Sequence, residues 1–291
     1  MIGRVIKFHN SFFFVELDGK LVECSLRGLL KRYKKQTIVC PGDFVEISLL
    51  NDGSGVIKRV VDRKNLLVRP AAANVDQLIL TFAAKEPDLH PLLLNRFLVL
   101  AEASGVEHIT VCINKIDLVD PNSKILDGYE RLYDLIKVSA RNGIGIDRLR
   151  SKLADRVTVF TGPSGVGKSS ILNAIDPSIN QTVGTISDRI RRGKNTTRVA
   201  ELIRFADGYL VDTPGFSAVE LNEFGVDDKN LAHYFPEFHQ YSARCRFNPC
   251  SHSHEPDCAV KAAVSDKIIL NERYESYLSL LKEINERKSK L

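Results

Sequence analysis

Residues 162–169 read Gly-Pro-Ser-Gly-Val-Gly-Lys-Ser, and this stretch constrains the fold more than any other in the chain. A β-branched run at 157–161 precedes it, and a helix-like run at 170–175 follows it. Strand, glycine-rich loop and helix in this order are typical of a phosphate-binding loop, because glycines let backbone N–H groups approach phosphate oxygens. In such a loop Lys168 reaches the β- and γ-phosphates and Ser169 ligates Mg²⁺. The competing interpretation is a chance glycine-rich turn, which the flanking strand and helix disfavour.

Length and cysteine usage indicate an intracellular protein of several parts. A chain of 291 residues suggests about two domains, or three small ones. No apolar run approaches the ~18–20 residues needed to cross a bilayer, and the N-terminal residues do not resemble a secretory signal. Three of the six cysteines crowd into one short C-terminal stretch, which favours a metal over a disulfide framework. We therefore expect a cytoplasmic protein without a membrane partner.

Residues 1–65 have the pattern of a small β-barrel. Short strand-like runs are separated by Asp18-Gly19, Pro41-Gly42 and Asn51-Asp52-Gly53, which are hairpin and turn signals. About five strands in this length fit a closed barrel, and the OB-fold is the common nucleic-acid-binding barrel of that size. This segment carries 12 Lys and Arg against 7 Asp and Glu, and the net charge of the whole chain is +5. We predict an RNA-binding domain over 1–65.

The basic residues of this segment cluster between two of its strands. Five of them lie within Arg27 to Lys35, namely Arg27, Lys31, Arg32, Lys34 and Lys35. Clustered charge of this kind favours contact with RNA phosphates. Phe12, Phe13 and Phe14 are also candidates for stacking on bases, although the competing interpretation places them mostly in the barrel core.

From residue 66 strands alternate with helices, which predicts a parallel sheet with helices on both faces over 66–220. One predicted strand runs directly into Asn114-Lys115-Ile116-Asp117. A carboxylate at Asp117 can accept N1–H and N2–H of guanine, a pair that adenine does not offer. Asn114 can tie loops together, and the Lys115 stem can cover the base. Ser139-Ala140, after a further strand, fits a backbone N–H directed at guanine O6.

Two later stretches carry groups suited to Mg²⁺ and the γ-phosphate. Thr196 and Thr197 lie in a polar, basic segment, and either hydroxyl can reach Mg²⁺; we favour Thr197. Asp212-Thr213-Pro214-Gly215 ends a predicted strand, where Asp212 can hold the Mg²⁺ shell and the Gly215 N–H can contact the γ-phosphate.

The C-terminal segment, 221–291, predicts a helical domain with a structural metal site. Cys245, Cys250 and Cys258 supply three thiolates, and either His252 or His254 supplies an imidazole. Four such ligands complete a tetrahedral Zn²⁺ shell with no open position. Helices are expected over 227–234 and 265–284, the second with Leu270, Tyr274, Tyr277, Leu281 and Ile284 on one stripe.

The order of these motifs resembles that of the circularly permuted GTPases, in which the guanine-reading motif precedes the phosphate loop. With a barrel in front and a zinc-binding tail behind, the whole chain closely resembles the RsgA (YjeQ/YloQ) family of GTPases that depend on the small ribosomal subunit. The resemblance implies a multidomain α/β protein. The architecture that it implies is an N-terminal OB-fold β-barrel, a central circularly permuted P-loop GTPase domain and a C-terminal helical zinc-binding domain.

The resemblance also implies the site residues and partners. The GTP-binding residues are Asn114, Lys115, Asp117, Ser139, Ala140, Gly162, Pro163, Ser164, Gly165, Val166, Gly167, Lys168, Ser169 and Ser170. Magnesium ligands are Ser169, Thr197 and Asp212, and the zinc ligands are Cys245, Cys250, His252 and Cys258. The catalytic candidates are Asn195, Thr197 and Gly215. Expected partners are GTP or GDP and the small ribosomal subunit with its ribosomal RNA, bound by a monomer.

One position departs from the family pattern. The family carries a His immediately before the two threonines, where this chain has Asn195, and Phe216 does not orient water as the Gln of Ras-like GTPases does.

The implied function is a GTPase, stimulated by the small subunit, that assists late maturation of that subunit and uses hydrolysis for its own release. The alternative is a GTP-dependent RNA-binding module without a ribosomal role. A third class, an ATP-using P-loop enzyme, is disfavoured by Asp117.

Overall fold

The computed structural model describes residues 1–9, 11–26, 39–68, 71–120, 123, 126–178, 200–212 and 220–289. The basic loop predicted to contact RNA, Arg27 to Lys35, lies outside these residues. So do Asn195, Thr196, Thr197, Gly215 and Phe216, as well as the side chain of Asp212.

The N-terminal segment folds into a closed five-stranded barrel. Its strands are β1 (Ile2–His9), β2 (Phe12–Leu17), β3 (Lys20–Leu26), β4 (Phe44–Leu49) and β5 (Gly55–Val60). They follow the order β1-β2-β3-β5-β4, and an antiparallel pairing of β4 with β1 closes the barrel. Alternate residues point inward, so Val5, Val15 and Ile47 form a core with no more than 2% exposure. The predicted barrel is confirmed.

The three consecutive phenylalanines divide between core and surface, as the alternation of a strand requires. Phe13 is 6% exposed and belongs to the barrel core, whereas Phe12 is 42% exposed. Phe14 is half-buried beneath the ammonium of Lys7, whose Nζ lies 5.3 Å from the ring centroid.

The segment after the barrel is fastened to it rather than extended as a free linker. Two short strands, β6 (Leu66–Leu67) and β7 (Ala72–Ala73), pair with each other. Arg63 Nε and Nη2 donate to the two carboxylate oxygens of the buried Asp43 at 2.6 and 2.8 Å. A bidentate pair of this kind fixes both groups in direction as well as distance.

The central sheet has six strands, β8 (Gln77–Ala83), β9 (His108–Asn114), β10 (Asp134–Lys137), β11 (Val157–Thr161), β12 (Glu201–Phe205) and β13 (Gly208–Asp212). Their order is β10-β9-β8-β11-β13-β12, and all are parallel except β12, which forms an antiparallel hairpin with β13. Helix α1 (Pro91–Ala103) covers one face, and α2 (Ile146–Ser151) and α3 (Lys168–Ile175) cover the other. The predicted parallel sheet with helices on both faces is confirmed; β12 was not predicted.

The C-terminal segment is helical, with bounds that differ from the predicted ones. Its α-helices are α4 (His239–Ser242), α5 (Ala259–Ser265) and α6 (Asn271–Lys288), with 3₁₀ turns at Leu221–Phe224, Leu231–Tyr234 and Pro236–Phe238. The helix expected over 227–234 is therefore only a 3₁₀ turn. The helix expected from residue 265 is interrupted, because Lys267 has a left-handed backbone (φ 58°) that a right-handed helix excludes. Tyr277, Leu281 and Ile284 of the predicted stripe are buried.

The C-terminal helices share one hydrophobic core with the central sheet. This core includes Leu98 of α1, Phe235, Phe238, and Tyr277 and Leu280 of α6, together with β8 and β9 residues. The barrel core is separate, but its strand β1 pairs with β12, so the barrel and the central sheet form one continuous eleven-stranded sheet. Within the described ranges, no helix combines the length and the apolar character needed to cross a bilayer.

Candidate nucleotide and metal sites

The phosphate-loop sequence folds as a tight turn between β11 and α3. Gly162 has φ 147°, and a Cβ there would lie 2.0 Å from the carbonyl oxygen of Thr81 on the neighbouring strand. Gly167 has φ 91°, and a Cβ there would lie 2.4 Å from Nδ2 of Asn114. Only glycine fits either position, because both the backbone angle and the space exclude a side chain.

Helix α3 begins at Lys168, so its first backbone N–H groups point back into the loop. Ser169 and Ser170 are exposed on this first turn. The Lys168 ammonium donates to the carbonyl oxygens of Gly162 and Pro163 at 2.8 and 2.6 Å, and burial lowers the pKa of its side chain. The turn therefore combines free N–H donors, a helix N-terminus and a cation, which together suit an anion.

Asn114, the last residue of β9, joins the phosphate loop to a second loop. Its Nδ2 donates to the carbonyl oxygen of Val166 at 2.9 Å, and its Oδ1 accepts the backbone N–H of Ala140 at 3.1 Å. Asn114 is 1% exposed, so these bonds are shielded from water. The structure thus brings together three predicted stretches, 114–117, 139–140 and 162–169, at the carboxyl edge of the parallel strands, where open α/β sheets bind ligands.

Lys115 adds a second link, to a loop that the sequence did not suggest. Its Nζ donates to the carbonyl oxygen of Gly165 at 2.9 Å and also to that of Glu86. Glu86 lies after the carboxyl end of β8 and has a left-handed backbone (φ 55°). The sequence offered one indication that this loop belongs to the site. The loop follows β8, and β8 lies between β9 and β11, the strands that carry the other two motifs.

Asp117 is held by Ser139. The Ser139 hydroxyl donates to Asp117 Oδ1 at 2.6 Å and accepts the backbone N–H of Asn142 at 3.2 Å. Ser139 is fully buried, whereas Asp117 is exposed at the rim. A buried hydroxyl therefore orients an exposed carboxylate, which is the arrangement needed to present that carboxylate to a base.

Asp212 is the last residue of β13, and β13 pairs with β11 in parallel register. Its backbone therefore reaches the same edge of the sheet as the phosphate loop. The predicted roles of Asn195, Thr197 and Gly215 fall on residues outside the described ranges, and they stay predictions.

Three cysteines and one histidine meet in the C-terminal segment. The ligand atoms of Cys245, Cys250, His252 and Cys258 all lie within 4.8 Å of one another. The Sγ atoms of Cys245 and Cys258 are 3.8 Å apart, and His252 Nδ1 lies 3.5 Å from the first and 3.4 Å from the second. Bond lengths of ~2.3 Å to sulfur and ~2.0 Å to nitrogen give tetrahedral edges of about 3.5–3.8 Å. The cluster therefore has the dimensions to hold a tetrahedral metal ion.

The surroundings of this cluster suit metal binding. Burial lowers the pKa of His252, which favours the neutral imidazole that a metal requires. Burial, together with the neighbouring thiol of Cys258, raises the pKa of Cys250 to about 12, a cost that a divalent cation at the centre would reverse. Ser242 Oγ lies 3.2 Å from His252 Nε2 and donates to the Phe238 carbonyl at 2.9 Å, so the imidazole is oriented with Nδ1 toward the thiols.

Comparisons with known proteins agree with the fold and with the motif order. The sequence model of the RsgA GTPase family matches residues 60–222 of this chain. The sequence model of the RsgA N-terminal domain family matches residues 2–57. A small ribosomal subunit biogenesis GTPase RsgA from Clostridium beijerinckii is 42% identical, and one from Geobacillus sp. (strain WCH70) is 43% identical; each match covers 98% of both chains.

Two solved structures have the same architecture. YjeQ from Thermotoga maritima superimposes with a TM-score of 0.84 at 38% identity, covering 97% of this chain and 98% of that one. YloQ, described as a circularly permuted GTPase, gives a TM-score of 0.81 at 33% identity, covering 98% and 95%. The resemblance inferred from motif order is therefore confirmed over the whole chain. This protein belongs to the RsgA GTPase family.

Proposed function

We propose that this chain binds and hydrolyses GTP, and that it acts on the small ribosomal subunit during late maturation, with hydrolysis coupled to its release. The observation that carries the proposal is the position of Asn114, whose side chain bonds both the phosphate loop and the Ala140 loop. That link supports a guanine-reading group and a phosphate-binding loop at one edge of the sheet, although the motifs occur in permuted order.

The base-binding part of the site follows from the side chains around Asp117. The carboxylate of Asp117 accepts N1–H and N2–H of guanine, and the Ser139 hydroxyl holds it in that orientation. The stem of Lys115 covers the base, since its ammonium is held between the Gly165 and Glu86 carbonyls. The Ala140 N–H, which donates to Asn114 Oδ1 in this structure, is assigned to guanine O6 and would have to share or exchange that partner when the base binds. An adenine offers no matching pair of donors, so GTP is preferred over ATP.

The phosphate-binding part uses the backbone and two side chains of the loop. We assign the phosphates to the backbone N–H groups of the loop over Gly162 to Ser170, except Pro163, which has none. These include the N–H groups of Ser164, Gly165, Val166 and Gly167. Lys168 contacts the β- and γ-phosphates. Ser169 is a Mg²⁺ ligand, and we assign Thr197 and Asp212 to the same ion. Mg²⁺ bound with GTP neutralises charge on the phosphates. Gly215 is assigned to the γ-phosphate, and Asn195 occupies the position of the family's His.

The remaining two segments are assigned to RNA contact and to metal binding. We propose domains over 1–65, 66–220 and 221–291, with the barrel as the RNA-binding part because the net positive charge of the chain resides there. Cys245, Cys250, His252 and Cys258 are proposed to hold one structural Zn²⁺, since four ligands leave no open position. None of the six cysteines forms a disulfide, which supports a reducing, cytoplasmic location. We also propose that the protein is a monomer.

The test is GTP turnover by the purified chain, measured alone, with isolated small subunits, with large subunits and with protein-free ribosomal RNA. We expect turnover to rise with small subunits only, and Lys168→Met to abolish it at every condition. Stimulation by bare RNA equal to that by small subunits would support the RNA-binding module without a ribosomal role. Turnover of ATP at a comparable kcat/KM would contradict the guanine assignment.

A further inference from the structure

The start of β12 and the end of β13 lie side by side at the open end of the hairpin that these two strands form. Glu201 pairs with Asp212 at the open end of the hairpin, and Phe205 pairs with Gly208 at its turn. In the sequence, the chain enters β12 directly after the segment with Asn195 and Thr197. It leaves β13 at Asp212 and passes directly into the segment with Gly215. A shift of this hairpin therefore displaces the attachment points of both segments together.

The barrel contacts the open end of the hairpin. Strand β1 pairs with β12 in antiparallel fashion, with Lys7 opposite Glu201. Lys7 Nζ lies 3.3 Å from Glu201 Oε1, and their side chains are 36% and 25% exposed. Glu201 is also paired with Asp212 on β13. Lys7 and Asp212, the proposed magnesium ligand, therefore lie on either side of the same residue, Glu201.

The barrel also contacts the hairpin near its turn. The carboxylate of Glu16 on β2 accepts hydrogen bonds from the Arg204 guanidinium and from the Tyr209 hydroxyl, which lie opposite each other in the hairpin. The Arg4 guanidinium lies over the Tyr209 ring, 5.1 Å from its centroid. The Glu16 side chain is 16% exposed and that of Arg204 is 61% exposed, so solvent screens the ion pair and the contact acts mainly through the geometry of its hydrogen bonds.

The two ends of the chain differ in how they join the central sheet. The C-terminal helices share a hydrophobic core with β8, β9 and α1, so they move with the sheet. The barrel has its own core. Among the described residues, its contacts with the hairpin include one strand pairing and polar contacts from Arg4, Lys7 and Glu16, and Ile6 of β1 packs against the central core.

We propose that Lys7 and Glu16 are positioning residues for GTP hydrolysis. Through them the barrel sets the position of the hairpin, and the hairpin sets the attachment points of the segment with Thr197 and the segment with Gly215. Occupation of the barrel by RNA is then coupled to hydrolysis through β1 and β12, and the same contacts report the nucleotide back to the barrel. This inference rests on the proposed function of the nucleotide site.

The first test is a charge exchange across the strand pair. Lys7→Glu places like charges opposite each other on β1 and β12, and the double variant Lys7→Glu/Glu201→Lys restores opposite charges in the same place. We expect Lys7→Glu to lower kcat with small subunits ~5-fold or more, with KM for GTP within about twofold, because the change acts on placement rather than on nucleotide binding. The double variant should recover kcat to within about twofold of the parent.

The matched control is Lys20→Glu, which makes the same charge change at an exposed barrel residue in the β2–β3 turn region. Its kcat should stay within about twofold of the parent, since only general RNA attraction is reduced. An equal loss in Lys20→Glu and Lys7→Glu, or a double variant that stays as slow as Lys7→Glu, would overturn the proposal.

The second test separates this inference from the proposed function. Amide hydrogen exchange is measured on the full chain without nucleotide, with GDP and with a non-hydrolysable GTP analogue, and changes are taken relative to the nucleotide-free chain. Protection over 162–175 reports nucleotide binding, whereas protection over β1 reports the coupling. We expect the analogue to change protection in both regions of the parent, and in 162–175 only in Lys7→Glu. A change confined to 162–175 in the parent would refute the coupling and leave the nucleotide site intact. No change in either region would refute both.

Discussion

The side-chain amide of Asn114 donates to the carbonyl oxygen of Val166, 52 residues later in the chain, at 2.9 Å. The same residue accepts a hydrogen bond from the backbone of Ala140. One buried amide therefore fixes the distance between the proposed base site and the proposed phosphate site, so its loss should affect nucleotide binding more than folding.

Asn114→Ala removes both hydrogen bonds and leaves two backbone groups to find other partners. We expect GTP affinity to fall by about 2–3 kcal/mol, because the two loops lose their common support. Fluorescent-nucleotide titration measures the effect, and Asn142→Ala at an exposed position nearby is the control. Equal affinities in the two variants would show that the loops do not depend on this bridge.

Asp117→Asn removes the second acceptor for the guanine N–H groups while keeping the size of the side chain. GTP binding should weaken by about 2–4 kcal/mol, with the melting temperature unchanged because Asp117 is exposed. Asp127→Asn, which makes the same change at another exposed site, should bind GTP normally. Unchanged GTP affinity in Asp117→Asn would remove the basis for the guanine assignment.

The metal cluster distinguishes two neighbouring histidines. His252 lies within the group of four ligands, whereas the exposed His254 does not. We expect the purified parent to hold about one Zn²⁺ per chain. His252→Ala should lose most of the metal and the helical signal of the tail, and His254→Ala should retain both. Metal analysis and circular dichroism of the two variants measure this difference, and retention of zinc by His252→Ala would contradict the ligand set.

The buried Arg273 links the C-terminal helices to the central sheet. Its guanidinium donates to both carboxylate oxygens of Glu237, at 2.7 and 2.8 Å, and to Asn95 Oδ1 of α1 at 3.0 Å. Burial opposes the charge, but the bonds to Glu237 outweigh it and raise the pKa of Arg273. Arg273→Met leaves Glu237 without its cation and should lower the free energy of unfolding by about 3–5 kcal/mol.

Adding Glu237→Gln to Arg273→Met removes the stranded charge, and the double variant should recover part of that loss. Lys282→Met on the exposed side of α6 is the control and should change stability by less than about 0.5 kcal/mol. Urea titrations give all four values. A double variant less stable than Arg273→Met would show that Glu237 is stabilised by other groups.

The variant Asn195→His tests whether the departure from the family pattern slows GTP hydrolysis. Hydrolysis needs an attacking water in line with the γ-phosphate, and an amide is shorter and less basic than an imidazole. Asn195→His should raise kcat with small subunits ~10-fold or more while leaving KM for GTP within a few-fold. Single-turnover kinetics measure the chemical step directly. Equal rates in both forms would mean that another group places the water.

The sequence predicted the parts of the site that are local. A phosphate loop needs only a strand, glycines and a helix in succession, and Asn114 to Asp117 needs only a strand end, so each can be recognised from adjacent residues. Their meeting followed from the rule that parallel strands present their carboxyl ends at one edge. The fold class was predictable for the same reason, since alternating strands and helices give a parallel sheet.

Long-range partners were not predictable in this way. Nothing in the sequence near Asn95 indicates that Arg273 is its partner, and Glu86 contributes through its backbone carbonyl, which any residue would supply. Strand β12 was missed because it follows a polar stretch and because two of its five residues, Glu201 and Arg204, are charged. The helix predicted from residue 265 was wrong at its start, because Lys267 has a left-handed backbone conformation. Glycine usually marks this conformation in a sequence, and this position is a lysine.

The shared core determines where the polypeptide can be cut. A fragment ending near residue 220 would retain α1 but lose Tyr277 and Leu280, which cover its apolar side together with Phe235 and Phe238. The exposed face of α1 would then form a large apolar patch, which promotes aggregation. For recombinant production the nucleotide-binding piece must therefore extend past the proposed domain boundary near residue 220 to the end of α6.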